Sequence, residues 1–75
     1  MIDKEEIIKK KIEKINKSKY KYTIEFEHIK DRDVLLKYGV HYKTSSNLII
    51  ASIGFQTINE LYIYILGFMD ALEIY

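Results

Sequence analysis

Residues 20–29, YKYTIEFEHI, decide the fold. Tyr20, Tyr22, Ile24, Phe26 and His28 alternate with Lys21, Thr23, Glu25 and Glu27. That period of two is what a strand with one face on a core requires. Residues 30–33 are all charged and form a loop, after which Leu36, Tyr38, Val40 and Tyr42 alternate with Lys37, Gly39, His41 and Lys43 as a second strand. A short helix over residues 32–38, capped by Asp31 and closed by Gly39, is the competing reading of that stretch. Thr44, Ser45, Ser46 and Asn47 are turn residues. Residues 48–55, LIIASIGF, then give a third strand, apolar on both sides apart from Ser52. Such a pattern predicts a central strand or one covered on both faces.

Helices flank these strands. Residues 3–15 start at Asp3, a good N-cap followed three positions later by Glu6. Ile8, Ile12 and Ile15 draw a narrow apolar stripe along that segment. Thr57 with Glu60 repeats the capping pattern, opening a helix over the remaining residues to 75. The predicted architecture is α+β in the order α-β-β-β-α. It forms one domain over residues 1–75, a three-stranded antiparallel sheet with two helices on one face.

Composition narrows the function. The chain has 75 residues, 48% apolar and 31% charged, and no cysteine. Thiolate metal sites and thiol catalysis are excluded, and a cytoplasmic location is the expectation. The N-terminal stretch interrupts its isoleucines with charges and has no signal-like apolar run. Residues 61–69 are uncharged but span about half of the ~20 residues a membrane helix needs. Ser45 and Ser46 occupy an ordinary turn, with no elbow to present a nucleophile to His28 or His41. His28, Asp31 and Asp33 are too few and too loosely spaced for zinc or calcium. The expectation is a non-enzymatic protein with no catalytic residue, no cofactor and no metal.

Two surfaces stand out. In the last helix Ile58, Leu61, Tyr62, Ile65, Phe68, Met69 and Leu72 make one stripe for the sheet. Ile63, Tyr64, Gly67, Ala71 and Ile74 remain on the other side, too apolar for solvent, with Tyr64 and Tyr75 suited to a half-wet rim. That face predicts a partner interface, either a homodimer through the helix or a host protein. Gly67 costs about 1 kcal/mol in a helix relative to alanine, which calls for a packing reason. The second surface is basic. Residues 1–21 carry eight lysines against four acids, although the whole chain is only +1. Lys9, Lys10, Lys11, Lys14 and Lys17 form a patch able to hold a phosphate backbone, making a nucleic-acid-binding regulator the alternative. Glu25, Glu27, Asp31 and Asp33 form a smaller acidic cluster.

The element order is similar to that of the double-stranded-RNA-binding domain. The resemblance is one of topology: Lys30-Asp31-Arg32-Asp33 stands where that family has a Gly-Pro-x-His loop, and Thr57-Ile58-Asn59-Glu60 opens the helix that the family opens with lysines. None of its RNA-binding residues transfers. Enrichment in Ile, Lys and Tyr, small size and lack of Cys and Pro resemble in style the accessory and anti-defence proteins of phages of AT-rich bacteria, anti-CRISPRs among them. That resemblance implies an inhibitor that acts by occluding a partner.

Overall fold

A computed structural model describes residues 3–74. Helix α1 (Lys4–Asn16) is followed by strands β1 (Thr23–His28), β2 (Tyr38–Lys43) and β3 (Ile49–Phe55), and by helix α2 (Ile58–Ala71). The strands form one antiparallel sheet in the order β1-β2-β3. Helix α1 packs on β1 and α2, and α2 reaches over β2 and β3, so both helices cover the same sheet face.

The core follows from the two periodicities. Ile8, Ile12 and Ile15 from α1 and Leu61, Ile65 and Met69 from α2 meet Ile24, Val40 and Tyr42 from the sheet. Six of these side chains are fully buried. The pairs Ile24–Tyr42 and Val40–Ile53 stand opposite each other across the ladders, which places the alternate residues on the opposite, open face. Caps fix the helix starts. Asp3 accepts from the Glu5 N–H at 3.1 Å, and Thr57 Oγ1 accepts from the Glu60 N–H at 3.2 Å while donating to the Glu60 carboxylate.

The sequence expectation needs correcting in four places. Residues 20–22 lie before β1; Tyr20 instead packs its ring edge-on against Phe68 at 5.1 Å. Residues 32–37 form neither the helix nor the first half of β2, because the loop closes on itself. The Ile29 N–H donates to the Lys37 carbonyl, while Asp31 accepts from the main chain of Asp33 and Val34 and its carbonyl from the Lys37 ammonium. Leu36 therefore leaves the strand and lies across Gly54. Most consequentially, β3 is an edge strand and exposed along nearly its whole length, not a central or doubly covered one.

The fourth correction concerns the end of α2. The helix stops at Ala71 with Glu73 in the left-handed region (φ 57°). The Ile74 N–H returns to the Met69 carbonyl at 2.9 Å and the Glu73 N–H to the Asp70 carbonyl at 3.1 Å. These two bonds are a Schellman closure, which folds Ile74 back onto the helix instead of extending it. Tyr75 lies outside the described residues.

Candidate functional site

Helices α1 and α2 run side by side in the same direction. Lys4 hydrogen-bonds Asn59 where both begin, and its ammonium sits over the Tyr62 ring at 5.4 Å. Their buried stripes face the sheet, and a second stripe on each flanks the seam between them. On α1 that stripe is Ile7, Lys10, Lys11 and Lys14, spaced as neighbours on one helix face. On α2 it is Ile63, Leu66, Gly67 and Asp70, with Ile74 closing one end through the Schellman turn. Between them lies a groove of about 880 Å³, open to solvent.

The α2 wall is apolar and uncovered: Ile63 is 68% exposed and Leu66 40%. The α1 wall carries three ammonium groups, none in an ion pair with a described acidic residue. The groove thus joins apolar contact area to a positive rim.

Two surfaces that read separately in the sequence therefore coincide. Ile63, Gly67 and Ile74 from the apolar set and Lys10, Lys11 and Lys14 from the basic set line one site. The other members go elsewhere. Tyr64 turns toward the sheet, hydrogen-bonding the Tyr42 hydroxyl and standing 5.3 Å from the Phe55 ring. Burial, and then that bond, pushes the Tyr42 hydroxyl well above the usual tyrosine range. Ala71 is exposed but outside the groove. Lys9 lies over the Phe26 ring at 5.9 Å, and Lys17 is the C-cap of α1. Leu72, expected on the sheet, instead lines a smaller depression with Tyr20 and Lys21. Leu66, which the sequence reading passed over, belongs to the site; its place four residues before Asp70 and three after Ile63 was the available signal.

No protein-family model matches the chain, and no curated protein or solved structure is significantly similar to it. The reading of function therefore rests on the geometry of its surfaces.

The open sheet face holds a second polar arrangement. His41 Nδ1 is 2.6 Å from Ser52 Oγ and its Nε2 is 2.9 Å from Glu27 Oε1. Beside them Lys43 donates to Glu25, whose carboxyl is held below its ordinary value by that bond. The order serine, histidine, carboxylate matches that of a hydrolytic triad. However, the groups project from adjacent strands onto an open sheet, and neither the α1/α2 groove nor the smaller depression beside Leu72 includes them. Cross-strand pairing accounts for the row: His41 stands directly opposite both Glu25 and Ser52 in the ladders. His28, close to Asp31 and Asp33 in sequence, pairs instead with Glu5 at 3.1 Å and stacks on Tyr38. Among the described residues no group of three metal-ligating side chains converges. Among them, too, no helix is long and apolar enough to cross a membrane.

Gly67 allows a direct check on the groove. A Cβ built there meets no atom within 4 Å, so nothing among the described residues requires glycine. Gly67→Ala is expected to stabilise the free chain by about 0.5–1 kcal/mol through helix propensity alone. Urea unfolding followed by circular dichroism measures it; a loss of stability would mean that the site is more crowded than described.

Proposed function

We propose that this chain is a small non-enzymatic protein-binding module, acting by occluding the partner it captures. The observation that carries the reading is the α1/α2 groove. It sets an exposed apolar wall, Ile63, Leu66 and Gly67, against the ammonium groups of Lys10, Lys11 and Lys14, which pair with no described acidic residue. Helices that dock into such grooves present apolar anchors at i, i+4 and i+7. The lysine rim adds the second requirement, acidic residues beside the anchors, which steer association and fix orientation. An acidic amphipathic helix of another protein fits both demands.

The same charges weigh against a second copy of the chain in this groove. A two-fold contact centred there would bring the lysine rims of both copies together, with Asp70 the single acid among the described lining residues. Nucleic acid would find the lysines but, among the described lining residues, no aromatic ring on which to stack a base. An inhibitory role, of the kind phage anti-defence proteins perform, follows if the captured helix belongs to a working surface of its owner.

Fluorescence anisotropy tests the reading with two labelled helical peptides of equal apolar pattern, one flanked by glutamates and one by lysines. The acidic peptide is expected to bind and to weaken as salt rises. Reversing Lys10, Lys11 and Lys14 to glutamate is expected to cost at least about tenfold in affinity, equivalent to ~1.4 kcal/mol. Equal binding of both peptides, or tighter binding of duplex RNA than of either, would overturn it.

A further inference from the structure

The two edges of the sheet are treated differently by the chain. At the β1 edge Asn16 acts as a short substitute strand: its side-chain oxygen accepts from the Ile24 N–H at 2.8 Å and its amide donates to the Ile24 carbonyl at 3.0 Å. Those bonds also fix the phase of the ladders. Ile24 points its main chain away from β2, so Glu25 and Glu27 point theirs toward it, as the continuing Ile29–Lys37 bond confirms. Carried across β2, the alternation turns Val40 and Tyr42 toward Ile53 and Ala51, leaving Ser52 and Gly54 with N–H and C=O aimed out of the sheet. No loop, cap or side-chain hydrogen bond from any described residue reaches those outward groups of Ser52 or Gly54.

Edge strands of soluble proteins are normally guarded by charge, proline, strong twist or a covering segment. Residues 48–55 carry no charge and no proline, and the one register shift in β3 falls near its start, at Ile49–Ala51, leaving residues 51–55 regular. Leu48 is 65% exposed and Ile53 37%.

We infer that β3 is the homodimer interface: two copies join edge to edge, antiparallel, into one six-stranded sheet. The occupant is a second copy because the strand complements itself. In a two-fold register centred on Ile53, Ser52 of each copy faces Gly54 of the other, the pairs whose main-chain groups point outward and can exchange both hydrogen bonds. Ile53 then meets Ile53 across a non-hydrogen-bonded position, where side chains approach most closely, and the large Phe55 falls opposite the small Ala51. No charged residue of β3 meets its like across the two-fold axis, in contrast to the groove between the helices. The inference goes beyond the proposed groove function and does not depend on it; each dimer would carry two grooves.

Light scattering after size exclusion, on the full chain at high micromolar concentration, tests the interface. The expected mass is twice the 9.0 kDa of the chain. Ile53→Lys, which sets two ammonium groups face to face, and Ser52→Pro, which removes an outward N–H and the side-chain bond to His41 but no main-chain bond of the β2–β3 ladder, are each expected to halve it. Ile63→Lys, in the groove, is expected to leave it doubled. Hydrogen exchange on the unaltered chain guards against variants that fail to fold: protection of the Ser52 and Gly54 amides is expected to rise several-fold with protein concentration. A monomeric unaltered chain, concentration-independent exchange at those amides, or a dimer abolished by Ile63→Lys and kept by Ile53→Lys would overturn the inference.

Discussion

Ile65→Ala is expected to destabilise the fold by about 2–5 kcal/mol, the range for truncating a fully buried branched side chain whose surroundings cannot collapse. Ile65 has no solvent exposure and belongs to one buried cluster with Ile8, Ile15, Leu61 and Val40. A domain of this size, without a disulfide, holds a margin at the low end of the usual ~5–15 kcal/mol. The variant should therefore be partly unfolded in mild urea, where the unaltered chain is native. Ile63→Ala is the matched comparison: the same chemical change two residues earlier, at a position 68% exposed, with an expected effect within about 0.5 kcal/mol. Similar losses from both would contradict the assignment of which α2 face is buried.

Asn16→Ala has the second-largest expected effect, about 1–3 kcal/mol. Its side chain closes two hydrogen bonds on the main chain of Ile24, whose own side chain is nearly fully buried. Removing it strands a donor and an acceptor together, which costs more than losing an exposed bond would. It also uncovers the β1 edge, so the variant should aggregate more readily than its stability loss alone explains. Asn16→Asp keeps the acceptor for the Ile24 N–H but offers no donor to its carbonyl, and should fall between the two. Urea unfolding measures the cost, and exchange of the Ile24 amide locates it. An Ile24 amide that exchanges no faster in Asn16→Ala would show that something else holds β1.

Much of this architecture was legible because its signals are local. Tyr20–His28 alternation, the Ile8–Ile12–Ile15 stripe and the Thr57–Glu60 cap each announce an element within a few residues, and the order α-β-β-β-α followed. What failed depends on contacts distant in sequence. LIIASIGF reads as a buried strand because apolar pattern reports what a strand could bury, not what is available to cover it; both helices lie on one face, and β3 falls at the rim. Leu36 continues the alternation of β2, yet the Asp31 turn pulls it out of the ladder and onto Gly54. Tyr64 sits at the boundary of the helix faces, and its hydroxyl reaches Tyr42, a partner that periodicity cannot name.

The candidate site was half legible for the same reason. Ile63, Gly67 and Ile74 stood out as surplus apolar surface, and Lys10, Lys11 and Lys14 as surplus charge. The two sets read as rival functions because α1 and α2 are separated by the entire sheet in sequence. Side-by-side packing of the helices makes them two walls of one groove. The phase of Ile24 against Asn16, and with it the contrast between a covered and a bare edge, arises only in the folded chain, from a contact across eight residues of sequence.

Residue-resolved NMR titration of the labelled chain with the glutamate-flanked helical peptide tests the groove most directly. The groove account predicts shift changes that cluster at Ile63, Leu66, Gly67 and Ile74 and on Lys10 and Lys14, saturating together, with the lysine-flanked peptide producing little. Changes centred on the open sheet face around His41 and Ser52, or equal changes with both peptides, would contradict it.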